Sequence, residues 1–133
     1  MTPAAPQLPA PETTAPVTPA QVTAFAAASR DDNPIHLSAD AARAAGLDGP
    51  VLHGMLIAGR FETFLERIGR YEIIALQVRF VRPAPVGSAL TISARSVGVT
   101  SPQLHLRLTA MIEGNVLVAV GDARLQPALL PAD

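Results

Sequence analysis

Apolar residues recur first at helical spacing and then in alternation, and the switch falls at Gly69. Ile57, Phe61, Phe64, Leu65 and Ile68 share one face of a helix predicted over 53–68. Arg60, Glu62, Glu66 and Arg67 occupy the opposite side. Its first turns, Met55, Leu56, Ile57 and Ala58, are apolar all round, which predicts that this end is wholly buried. After Gly69 the period is two. Ile74, Leu76, Val78 and Phe80 alternate, then Leu90, Ile92 and Ala94, then Leu104, Leu106, Leu108, Ala110 and Ile112, and finally Val116, Val118 and Val120. Turn signals at Gly87, 98–102 and Glu113-Gly114-Asn115 separate the runs. Strands following a long buried helix predict an α+β layer arrangement, an antiparallel sheet around that helix.

The first half carries shorter signals. Thr18-Pro19 reads as an N-cap followed by proline at the first helical position, with Val22, Phe25 and Ala26 on one face of the helix that follows. Asp-Asn-Pro punctuates 30–37, Ser38 caps a short helix through Ala45, and Gly46 stops it. Asp48-Gly49-Pro50 forms a second loop. Residues 1–19 hold six of the thirteen prolines. Proline denies hydrogen bonds to helix and ladder, so 1–17 reads as an extended, flexible leader, with a short edge strand at 12–17 as the competing reading. One domain over 18–127 and a tail over 128–133 complete the organisation.

Composition narrows the chemistry. The 133 residues suit one domain, and 49% hydrophobic content with net charge −1 describes a globular chain without a basic footprint for nucleic acid or an anionic membrane. No basic residue precedes an apolar core at the start, and no apolar run reaches the roughly 18 residues of a spanning helix, so a cytoplasmic location is expected. Cysteine and lysine are both absent. That removes disulfides, thiolate metal sites, cysteine nucleophiles and lysine Schiff bases. Acid–base chemistry is left to six Asp, five Glu, three His and one Tyr.

Three clusters could carry it. In Asp31-Asp32-Asn33-Pro34-Ile35-His36, Pro34 forces a turn that can bring the Asp31 carboxylate near the His36 imidazole. Such a pair can hold a water between base and acid. A plain Asx-turn with a satisfied histidine is an equally physical reading of these six residues. In Gly49-Pro50-Val51-Leu52-His53-Gly54-Met55, a loop becomes a buried helix with Gly54 in its first turn. Free N–H groups and the positive dipole end lie there, so Gly54 could donate to a polarised carbonyl; the alternative is tight packing, with His53 a buried core residue. In 79–87, Arg79 and Arg82 end a strand and are the candidates for binding phosphate, against a solvated strand face. His105 falls on the polar face of its strand.

Together the pieces resemble the MaoC-like dehydratases, specifically the (R)-specific enoyl-CoA hydratases of the hotdog fold. The likeness rests on Asp31-x-Asn33-Pro34-Ile35-His36, Ala44-Ala45-Gly46-Leu47, Gly49-Pro50-Val51-Leu52-His53-Gly54-Met55-Leu56, and Phe80 followed by Arg82-Pro83 and Gly87. It runs from about Thr18 to Leu125. Three departures stand out. Arg30 occupies a position where glycine often precedes the aspartate, Ser38 replaces a common aspartate, and the leader is proline-rich where a first strand is usual.

The resemblance implies a catalytic pair, Asp31 and His36, supported by Asn33, with the Gly54 N–H as donor to a thioester carbonyl. The implied reaction is reversible addition of water to a trans-2-enoyl-CoA, giving an (R)-3-hydroxyacyl-CoA. Implied substrate contacts come from His53, Met55, Leu56, Phe80, Arg79 and Arg82. No metal or cofactor is required, coenzyme A being part of the substrate, and a homodimer built edge to edge is implied. Alternatives on the same fold are a dehydratase for carrier-protein-bound acyl or polyketide thioesters, a thioesterase, or a non-catalytic acyl-thioester-binding subunit.

Overall fold

The computed structural model describes residues 6–100 and 102–129. Helix α1, Pro19–Ser29, opens with a complete capping box: Thr18 accepts from the Gln21 N–H and the Gln21 side chain accepts from the Thr18 N–H. A 3₁₀ turn over Pro34–His36 and helix α2, Ala39–Ala44, follow; α2 is capped by Ser38 as expected. Helix α3 spans Gly54–Glu66 and buries Leu56, Ile57, Ala58, Phe61, Phe64 and Leu65. Among the described residues, no helix is long and apolar enough to cross a membrane.

Five antiparallel strands form one sheet around α3. They are β1 (Glu12–Thr13), β2 (Tyr71–Phe80), β3 (Thr91–Thr100), β4 (Gln103–Ile112) and β5 (Val116–Pro127), in the order β1-β3-β4-β5-β2. The expected sheet on helix is therefore present. Over β5, a Cβ on Gly121 would stand 3.2 Å from the Phe61 ring. Only a bare backbone lets the helix sit that close.

Three expectations are corrected. The leader reading fails from residue 12 on: Glu12 and Thr13 pair with Ile92 and Thr91, the Val17 N–H donates to Ser88 O, and the Val17 side chain is wholly buried. The chain can do this because the prolines flank the pairing residues rather than occupy them. The buried phase of two strands also shifts. A bulge between Ile73 and Ala75 leaves Ile74 exposed and turns Ile73 toward the core. An irregularity opposite Ala110 and Met111 lets β5 bury Val118 and Ala119 together, then Gly121, Ala123 and Leu125. Each bulge adds one residue and flips the alternation beyond it. Finally, Met55 is 69% exposed, so the first turn of α3 is not wholly buried.

Candidate active site

The site begins at the end of α1. Arg30 closes that helix in the left-handed conformation, φ 63° and ψ 16°, which explains why glycine suits this position. The reversal throws Asp31 out of the helix, where the Ser29 hydroxyl accepts from its N–H at 3.2 Å. Asn33 then shapes the turn. Its Oδ1 accepts from the Ile35 N–H at 3.2 Å, and its own N–H donates to Asp31 Oδ1 at 3.4 Å. Asn33 thus acts as the cap of the 3₁₀ turn and a tether on the Asp31 carboxylate. The Asx-turn is the structure that brings Asp31 and His36 together.

His36, at the end of that turn, is buried. Its Nδ1 lies 2.7 Å from the Val51 carbonyl oxygen, an acceptor only, so Nδ1 carries the proton and donates. In the neutral ring Nε2 keeps its lone pair, and it lies 3.8 Å from Asp31 Oδ2. That separation is too long for a direct hydrogen bond and admits a water donating to both. The Asp31 side chain is 53% exposed, so the pair opens to solvent on one side.

His53 lies beneath the pair. Its ring stacks on that of His36 with centroids 3.8 Å apart and planes 24° from parallel, and Phe25 covers it at 4.8 Å. Asp31, His36 and His53 offer ligand atoms within 4.8 Å of one another. Stacked rings point their lone pairs along nearly parallel planes, however, and one nitrogen of each ring is already committed to a backbone carbonyl.

Gly54 follows His53 as the first residue of α3, where the N–H has no acceptor within the helix. Beside it lies an open groove of about 280 Å³ lined by residues that include Leu52, Ile57, Phe80, Arg82 and Ala84. Phe80 roofs the glycine: a Cβ on Gly54 would stand 2.7 Å from Phe80 Cζ.

The family profile described as the MaoC-like domain matches residues 3–114. The chain belongs to the MaoC-like domain family. The chain is an enzyme of the hydratase and dehydratase type. The domain is 32% identical over 109 residues to the (R)-specific enoyl-CoA hydratase of Aeromonas caviae, covering 78% of this chain and 81% of that one. It superposes on the solved structure of the (R)-hydratase from A. caviae involved in PHA biosynthesis with TM-score 0.81 and 27% identity, over 90% and 93% of the two chains. A (3R)-hydroxyacyl-ACP dehydratase complex from Mycobacterium tuberculosis shares the fold at TM-score 0.72 and 18% identity, over 86% and 90%. The sheet around α3 is a hotdog.

The MaoC-like domain thus brings together Asp31, Asn33 and His36, and sets Gly54, Phe80 and Arg82 around one groove. Met55, next to Gly54 in the chain, is exposed. Other expected substrate contacts are corrected. Leu56 and His53 are buried, the latter 1% exposed, and neither lines that groove. Arg79 lies on the outer face of the sheet, sharing a groove with Arg95, Arg107 and Asp122. Strand alternation makes this unavoidable, since Phe80 faces α3 and its neighbour must point away. The Val51 carbonyl and the Phe25 ring were missed, and no local sequence signal marks either.

Proposed function

We propose that this MaoC-like domain adds water reversibly to trans-2-enoyl-CoA thioesters, producing (R)-3-hydroxyacyl-CoA. The observation that carries the reading is the pairing of the Asp31 carboxylate with His36 Nε2, whose partner nitrogen is committed to Val51 O. Two adjacent acceptors hold a water that donates to both. As its oxygen bonds to C3, the pair takes one proton and returns it to C2, while the other stays on the new hydroxyl. The electrons of the C2=C3 π bond pass through the thioester carbonyl as an enolate and end in the new C2–H bond. The Gly54 N–H, at the positive end of α3, stabilises that oxygen while it carries charge; one such donor typically contributes about 3–4 kcal/mol. Phe80 and Met55 line the approach for the acyl chain, and Arg82 supplies positive charge at the groove's edge for the coenzyme A phosphates. No resident metal or cofactor enters the scheme.

The working unit in this reading is a homodimer. Two-residue β1 covers only Thr91 and Ile92 of β3, leaving the remainder of that edge without a strand among the described residues. A second reading, with a carrier-protein thioester as substrate, is favoured by the likeness of fold to the hydroxyacyl-ACP dehydratase complex. A non-catalytic binder has no use for the Asp31–His36 pair.

The test is loss of enoyl-thioester absorbance on a short trans-2-enoyl-CoA and on its carrier-protein counterpart, followed by chiral analysis of the product. Turnover of the CoA thioester to the (R) alcohol is expected. Turnover of the carrier-bound thioester alone selects the second reading, an (S) product overturns the stereochemistry, and inactivity on both overturns the function.

A further inference from the structure

His53 raises a question that the reaction scheme leaves open. Among the described residues it is one of two buried polar ones, and its Nδ1 is buried without a hydrogen-bond partner. An unpaired buried polar atom destabilises a fold, so a histidine here is a poor choice for packing alone. Its other nitrogen is fully used. Nε2 lies 2.9 Å from the backbone carbonyl oxygen of Asp31, 22 residues earlier in the chain. A carbonyl can only accept, so Nε2 carries the proton.

We propose that His53 is a positioning residue for Asp31: its Nε2–H clamps the Asp31 main chain, holding the exposed carboxylate within reach of a water on His36. The inference rests on the hydratase reading. The two members of the pair differ in how much holding they need. His36 is buried and secured by its own Nδ1–H bond to Val51 O. Asp31 is half exposed on a turn, tethered otherwise by the Ser29 hydroxyl on its N–H and the long contact from the Asn33 N–H. The clamp therefore acts where the site is loosest. It also ties two loops together, because His53 opens α3 while Asp31 follows α1. The stack on His36 and the cover from Phe25 fix the plane of the His53 ring and so aim its N–H. Small misplacement of a reacting group is costly, about a hundredfold in rate for about 1 Å.

Two substitutions in the full chain separate the clamp from packing. His53→Phe keeps a flat ring between His36 and Phe25 and removes the donor. His53→Gln places an amide N–H at about the reach of Nε2 and removes the ring. The expected result is a fall in kcat of about ten- to a hundredfold for His53→Phe, with KM changed by less than about threefold. His53→Gln should keep kcat within about fivefold of wild type, even where its melting temperature falls further. Equal losses in the two variants, or wild-type kcat in a folded His53→Phe, would overturn the clamp. Hydrogen exchange at the Asn33 amide, which donates to Asp31 Oδ1, reads the same clamp without turnover. It should quicken in His53→Phe and not in His53→Gln. A wild-type protein inactive on both thioesters that still shows this exchange pattern would sink the hydratase reading and leave the clamp standing. The absence of the pattern would sink the clamp.

Discussion

Replacing Gly54 by alanine separates the stability of this fold from its chemistry. The new Cβ would lie 2.7 Å from Phe80 Cζ and 2.9 Å from Cε2, whereas carbon atoms rest at about 3.5–4.0 Å. The ring must therefore retreat by about 1 Å. Phe80 is 49% exposed and sits at the end of its strand, so it has room to swing outward. Complete burial of a phenylalanine contributes about 1.5–3 kcal/mol, and the displaced ring forfeits roughly 1 kcal/mol. Alanine in place of glycine in a helix returns up to about 1 kcal/mol. These terms nearly cancel, and the melting temperature should move by no more than about 3 °C. The rate should not be spared. A methyl group on the bare turn keeps the thioester oxygen from the Gly54 N–H, and loss of one such donor lowers kcat about 10²- to 10³-fold. Thermal melts and initial hydration rates at saturating enoyl thioester measure both effects. The double variant Gly54→Ala/Phe80→Leu relieves the collision with the ring, and should keep a melting temperature near wild type without regaining the rate. Wild-type kcat in Gly54→Ala, or full recovery of kcat in the double variant, would refute Gly54 as the donor.

Further predictions concern the frame of the site. Arg30→Gly relieves a left-handed residue, a gain of about 1–2 kcal/mol against an unfolded-chain entropy cost of about 0.4–1, so the melting temperature should rise by a few degrees and any fall would contradict the assigned cap. Gly121→Val drives side-chain atoms into the Phe61 ring and should lower stability in urea by about 1–3 kcal/mol; an unchanged midpoint would mean that α3 does not rest on β5. Val17→Ala should cost roughly 1–3 kcal/mol in the same measurement, because Val17 is wholly buried, and no loss would restore the leader reading.

Much of this frame is legible in the sequence because its signals are local. Thr18-Pro19, Ser38 and the Ile57, Phe61, Phe64 and Leu65 stripe each declare an element within a turn or two. The Leu104, Leu106, Leu108 and Ala110 run does the same for β4, the central strand, whose inward phase is unbroken. In β2 and β5 the period of two is interrupted by an extra residue, and in a uniformly apolar run nothing marks which residue is extra. The brief β1 hides among prolines because its pairing involves only Glu12 and Thr13. The site divides in the same way. Asp31, Asn33 and His36 fall within one turn and could be read as a group, as could the bare helix start at Gly54. The bond from His53 to Asp31 O and that from His36 to Val51 O join residues 22 and 15 apart, and only the folded chain brings them together.

The acid–base pair itself is tested most directly by a double-mutant cycle on hydration of a short trans-2-enoyl-CoA, with wild type, Asp31→Asn, His36→Ala and the double variant, each verified as folded. Two groups holding one water act as a unit, so each single substitution should lower kcat about 10²- to 10⁴-fold, and the double variant should be little worse than either. Single variants turning over at the wild-type rate, or losses that multiply in the double variant, would contradict the pair.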